Sequence, residues 1–241
     1  RELQFSLVIT QSEDDAYRFF ETQNTGGVRL SGPDIIKAHH LRAVDRDYLK
    51  EYALKWESLG NLNESVMAIL RGRYWLQVGW RDLPRHNQKP QIRDTVVNEL
   101  ASKTGSDGVD VSYGRVKRVV SDSGVMSMTT PSQGYDMRQP LNAGTNAINY
   151  VAYFQCLYLR YWESPESVHV QDYREFITWL NGQKGCGYLQ DLYEACLLLY
   201  ISQFGEEKLT VAAKKIFRVV YSRRVSNQKA VRENSVPKFV R

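Results

Sequence analysis

Along most of this chain apolar residues return every three or four positions, the spacing that puts them on one side of an α-helix. Ala16, Phe19 and Phe20, followed by Gln23, give a first stripe, opened by Ser12 and closed by the Asn24 to Gly27 turn. Ile35, Ala38, Leu41 and Val44 give a second, with Ser31 and Asp34 as its start signal. Leu49, Tyr52, Ala53, Trp56 and Leu59 define a third helix that runs to Gly60. Asn61 and Glu64 open a fourth, through Val66, Ile69, Leu70 and Arg73 toward Gly79. "QIRDTVVNELASK" predicts another helix after a Pro-rich and polar break.

The later pattern is also helical. "NAINYVAYFQCLYLRYW" is apolar nearly all round and predicts a central buried helix. Tyr173, Phe176, Ile177 and Leu180 mark one face of the next, which should stop at Gly182. "YLQDLYEACLLLYISQFG" should end at Gly205. In the helix after it, Leu209, Ala212, Ala213, Ile216 and Val220 point inward, and Lys214, Lys215 and Arg218 toward the other side. Only "LQFSLVIT" reads as a strand, and it has no neighbour to pair with. The expected fold is mainly α, a multi-helix domain with a short N-terminal strand. Three parts follow: residues 1–102 with the strand and first helical half, a Gly/Ser-rich excursion at 103–145, and residues 146–241 with the second helical half and a basic C-terminal segment.

Composition narrows the class. Hydrophobic residues make up 42% of 241, which excludes a disordered chain. Cys156, Cys186 and Cys196 are odd in number and lack C-x-x-C spacing, so the sequence suggests no disulfide framework or zinc site and fits a reducing cytoplasm. No apolar run approaches the roughly 18 to 20 residues of a membrane span. The chain starts at Arg1 rather than methionine, and we read it as a piece of a longer protein. From Lys208 to Arg241 ten Lys or Arg stand against Glu233, a balance of 10 − 1 = +9, which leaves 5 − 9 = −4 for the remainder. That asymmetry points to an anionic partner.

Candidate chemistry gathers in two places. The Asn24, Gly26, Gly27 turn, with the helix start at Ser31 and the charges of Arg29 and Lys37, offers free N–H donors of the kind that hold phosphate. The spacing is no G-x-x-x-x-G-K-[ST] loop, and from spacing alone a purely structural joint is the preferred reading. Lys214, Lys215, Arg218, Arg223, Arg224, Lys229 and Arg232 either line a groove that follows nucleic-acid phosphates, or are solvated, or meet another part of the parent protein. His39 and His40 are adjacent, about 100° apart on a helix, and His86 and His169 stand alone, so no metal constellation is read.

"DDAYRFFETQNTGGVRLSGPDIIKAHHL" resembles the GmrSD restriction endonuclease N-terminal domain family. Phe20, Glu21, Asn24, Gly27, Leu30, Ser31, Asp34 and Lys37 carry the likeness. "RQPLNAGTNAINYVAYFQCLY", "YLQDLYEACLLLYISQFG" and "FRVVYSRRVSNQKAVRENSV" are similar to the helical remainder of its large members. The resemblance implies a modification-dependent (type IV) restriction or phage-defence protein. In such proteins a ParB-like domain with an Asp-Gly-Gln-Gln-Arg motif is linked to nucleotide hydrolysis, and a His-Asn-His domain or subunit cuts DNA. Neither motif occurs here. The chain departs from the family pattern at Gln23, Gly26 and Arg29. The implied role is a helical region that couples an upstream nucleotide-binding domain to DNA or to an effector without catalysis of its own. It would hold no cofactor in itself, with NTP and a divalent metal belonging to the intact protein. A self-contained helical interaction module with no nucleotide link is the rival reading.

Overall fold

The structure is a computed structural model. It describes residues 32–77 and 134–226 apart from 184–186, together with 7, 9–11, 100, 104–105, 109–111, 117–120, 126–129, 231 and 235–240. The fold is mainly helical. Among the described residues the helices are α1 (Gly32–Arg42), α2 (Leu49–Ser58), α3 (Asn63–Gln77), α4 (Thr145–Tyr158), α5 (Gln171–Asn181), α6 (Gly187–Phe204), α7 (Leu209–Ser226) and α8 (Ser235–Val240). A π-helical turn at Leu159–Glu163 continues α4, and a short 3-10 turn follows at Pro165–Ser167. In the excursion, β1 (Lys117–Val120) and β2 (Met126–Thr129) pair antiparallel, Lys117 opposite Thr129. No helix among the described residues is long and apolar enough to cross a membrane.

Elements from both ends of the sequence share one core. α3 packs on α6 and α4, α1 and α2 also pack on α4, and α7 packs on α6 and α5. Ile69 and Leu70 of α3, Tyr150 and Phe154 of α4 and Tyr193, Leu197 and Leu198 of α6 are all buried in it. Each such side chain removed from water contributes about 1.5–3 kcal/mol. The buried tyrosines keep their hydroxyls satisfied. Tyr150 donates to the Met137 carbonyl at 2.6 Å and Tyr173 to the Tyr161 carbonyl at 2.5 Å.

The expected inward faces of the later helices are observed. Tyr173, Ile177 and Leu180 of α5 are buried, as are Leu209, Ala213 and Val220 of α7. Gly60 and Gly205, at φ 70° and 63°, close α2 and α6 in the left-handed conformation that glycine adopts without a Cβ clash. Asn61 accepts from the Asn63 N–H at 3.1 Å where α3 begins. Gly182 ends α5 where expected, in the right-handed region at φ −74°. Two expectations need correction. On α1 the buried positions are Ile36 and His40, with Val44 just beyond, a spacing of four that turns His40 inward where Ile35, Ala38 and Leu41 were expected to lead. The N-terminal strand is the second: residues 3–6 and 8 of the expected strand lie outside the described residues, and the described Leu7, Ile9 and Thr10 are in no strand, with Leu7 and Ile9 exposed. A strand needs a partner for its N–H and C=O groups, and these three residues pair with no described strand. The helix expected before residue 32 and most of the one around residue 100 lie outside the described residues.

Candidate functional site

Asn24, Gly26, Gly27 and Arg29 of the expected phosphate turn lie outside the described residues. Lys37 is described. It sits in the second turn of α1 at the edge of a polar cleft of about 220 Å³, formed where α1 and α3 begin and α2 ends. Asp34, Glu57, Asn61 and Asn63 share that cleft. The ammonium of Lys37 is ion-paired to the Glu57 carboxylate. Among the described residues of the cleft one cation faces two carboxylates, and a phosphate drawn to Lys37 must compete with Glu57.

The expected nucleic-acid residues are placed differently. Lys214, Lys215, Arg218 and Arg224 of α7 are exposed. Lys214, Lys215 and Arg218 make no ion pair with a described residue. At about 100° per residue these three fall within an arc of about 100°. Arg223 is partly buried, its guanidinium 4.9 Å from the centre of the Phe239 ring of α8, a contact that ties α8 to α7. Lys229 and Arg232 lie outside the described residues. The structure does not bring Lys37 together with the α7 cations: α1 packs on α2, α3 and α4, and α7 on α5 and α6.

Sequence reasoning missed a polar joint at the start of α4. His40 is fully buried. Its Nδ1 accepts from the Gly144 N–H at 3.3 Å, and its Nε2 donates to the Leu100 carbonyl at 2.9 Å. A backbone N–H only donates and a carbonyl only accepts, so the two contacts fix the neutral imidazole with its proton on Nε2. Burial, then the neighbouring His39, push its pKa down to about 4, and the Leu100 carbonyl acts weakly the other way. Gly144 has φ 77°, and a Cβ there would stand 2.6 Å from the Ala43 carbonyl oxygen, so α1 and α4 meet this closely only over glycine.

Around the corner Asp110 is the hub. Its carboxylate accepts from the Tyr135 hydroxyl at 2.9 Å, Asn146 Nδ2 at 2.9 Å and Asn149 Nδ2 at 2.6 Å. Lys55 of α2 donates to Asn149 Oδ1 at 2.5 Å. Asn142 Nδ2 donates to the Val109 carbonyl at 3.0 Å, and Gln139 Nε2 to that of Val111 at 2.8 Å. Burial and the Asp110 contact hold the Tyr135 phenol protonated. The signal was present in "PLNAGTNAIN": Asn142, Asn146 and Asn149, at i, i+4 and i+7, share one side of a helix start. This network ties the excursion to the helical body.

A second buried polar locus lies between α3 and α6. Arg71 pairs with Asp191 at 3.1 Å. Glu194 is buried, and its Oε2, like Arg71 Nη1, has no hydrogen-bond partner among the described residues. Burial first, then Asp191 and Glu64, push Glu194 up to about 8, against the opposing influence of Arg71 and the Trp162 side chain.

With helices, cleft and basic face in view, residues 48–241 match a family of unknown function, DUF7834, and the chain belongs to it. No curated protein and no solved structure matches the chain.

Proposed function

We propose that this chain is the helical region of a GmrSD-like, modification-dependent restriction or phage-defence protein of the cytoplasm, and that it contacts DNA through α7. The observation that carries the reading is the charge of α7. Its 18 residues hold five Lys or Arg and no acid, and Lys214, Lys215 and Arg218 share one exposed arc. Such a stripe tracks phosphates and gives affinity without sequence preference. In this reading the Asn24 to Gly27 turn, Arg29 and the Lys37 cleft form one wall of a nucleotide site completed by an upstream ParB-like domain. The exposed Leu7 and Ile9 would be covered by that domain's sheet. The His40 joint would pass movement of α1 to α4. Nucleotide, divalent metal and nuclease functions would belong to the rest of the protein or a further subunit.

The rival is a self-contained interaction module for an acidic protein surface, with no nucleotide link. The pairing of Lys37 with Glu57 favours it, because the charge of Lys37 is already answered. Fluorescence anisotropy with a duplex of roughly twenty base pairs, at three salt concentrations, separates the two. DNA contact predicts that log affinity falls linearly with log salt, by about 0.9 per phosphate engaged. Affinity that does not change with salt, or no binding at the lowest salt, refutes it.

A further inference from the structure

The basic arc of α7 borders an aromatic platform. Phe176 and Trp179 of α5 meet Phe217 of α7, with ring centres 5.7 and 5.5 Å away. Tyr221 continues the row 4.5 Å from Phe217. Residues three or four apart on a helix are surface neighbours, about 5–6 Å between Cβ atoms. Lys214 therefore flanks Phe217, and Arg218 flanks Tyr221. Trp179 is 50% exposed although it sits in a helix whose apolar face is otherwise turned inward. An open groove of about 560 Å³ lies beside it, lined also by Pro165, Glu166, Arg174, Glu175 and Thr178. That is ample for one planar ring system.

We propose that this surface binds single-stranded nucleic acid, with a base stacked on Trp179 and the sugar–phosphate backbone running over Lys214, Lys215 and Arg218. The inference rests on the reading of α7 as a DNA face and narrows it. Cations beside an exposed aromatic ring are what unpaired strands require, because an unpaired base presents a π-face that a duplex keeps within its stack. The acids set the direction. Asp172 and Glu175 are exposed one to two turns before Trp179 on α5, and Glu166 lines the groove. Arg174 answers only one of them, so the groove keeps a net negative charge that repels phosphates; the backbone then lies on the α7 side and a neutral base enters the groove. A duplex has the phosphates but no free base, and it gains only the electrostatic part.

The test uses the full chain with a fluorescein-labelled oligothymidylate of roughly twenty nucleotides and, in parallel, a duplex of the same length. The proposal predicts tighter binding of the single strand and quenching of tryptophan fluorescence on binding. Trp179→Ala should weaken single-strand binding by about five- to a hundred-fold, the worth of one stacked base. It should leave duplex binding within about two-fold and remove most of the quenching. Trp179→Phe should restore part of the affinity, since a smaller ring still stacks. Trp179 also packs on Phe176 and Phe217, so a melting curve for each variant, with the ring kept in Trp179→Phe, separates lost base stacking from lost packing. Equal binding of both DNA forms, or a Trp179→Ala variant that binds the single strand as the parent does, overturns the proposal while leaving α7 as a phosphate contact. A change in sedimentation with Trp179→Ala and none in binding overturns it in favour of a second copy on this face. If neither DNA form binds in a salt-dependent way, the reading of α7 itself fails.

Discussion

Around α1 and the start of α4, polar groups are answered from within the chain. Lys37 finds Glu57, Lys55 finds Asn149, Asp110 gathers three donors, and both ring nitrogens of His40 are engaged. Along α7, Lys214, Lys215 and Arg218 face solvent without an ion pair to any described residue. The two regions carry similar residue types and use them for opposite ends. Where charge and hydrogen-bonding capacity are consumed internally, they position backbone and resist exchange with a ligand, since an outside ion must first undo a contact. Where they are left outward, they cost the fold little and remain available to a partner. Glu194 fits neither pattern: it is buried, and one of its oxygens is unanswered among the described residues.

That exception should give the largest effect. The folded state raises the Glu194 pKa from an ordinary 4.5 to about 8, so its share of stability is complete below pH 4.5 and is lost as pH rises through 8. Glu194→Gln removes the ionisation. Urea denaturation at pH 8 should show a gain of up to about 4 kcal/mol over the parent, and little difference at pH 4.5. A parent and variant with the same pH dependence would show that Glu194 is better solvated than its burial implies.

His40 should come next, with the opposite sign. Its folded pKa of about 4 lies below the ordinary 6.5, so its contribution is present above pH 6.5 and lost as pH falls through 4. The loss should reach about 3 kcal/mol and should be absent in His40→Gln, which is also weaker at pH 7 because the Gly144 and Leu100 contacts are disturbed. Hydrogen exchange in α1 should quicken on acidification before exchange in α7 does. Equal acceleration in both would mean the joint does not hold α1 separately.

The smallest effect belongs to the surface pair. Both Lys37 and Glu57 reach solvent, with 28% and 66% of their side chains exposed. Glu57→Gln should change stability by no more than about 0.5 kcal/mol. It should, however, free Lys37, so that added ATP raises the melting temperature of the variant and not of the parent. A parent that responds as strongly would show that the cleft is open to anions despite Glu57.

These contrasts also explain what the sequence made legible. Helix faces built from Tyr173, Ile177, Leu180, Leu209, Ala213 and Val220 announce themselves, because burial of apolar groups is decided locally by spacing. The exposed cations of α7 follow from the same wheel. His40 and Asp110 could not be read this way. The partners of His40 lie 60 and 104 residues away, and those of Asp110 25 to 39 residues away. A buried polar group is stable only where such partners meet it, and periodicity carries no record of that. The contact of Arg223 with Phe239 was hidden for a related reason, since Phe239 belongs to another helix. Trp179 was legible as part of a helix, but its exposure beside Phe217 depends on how α5 crosses α7.

The central claim is that α7, and not the Lys37 cleft, is the face that meets nucleic acid. It is tested most directly by charge reversal in both places, read by anisotropy with a duplex across a series of salt concentrations. Lys215→Glu with Arg218→Glu should weaken binding by tens of fold at low salt and reduce the log–log slope by about 1.8, the equivalent of two phosphate contacts. Lys37→Glu should leave both affinity and slope as they are in the parent. If the α7 reversal binds like the parent, or if Lys37→Glu alone flattens the slope, the assignment of the two regions is contradicted.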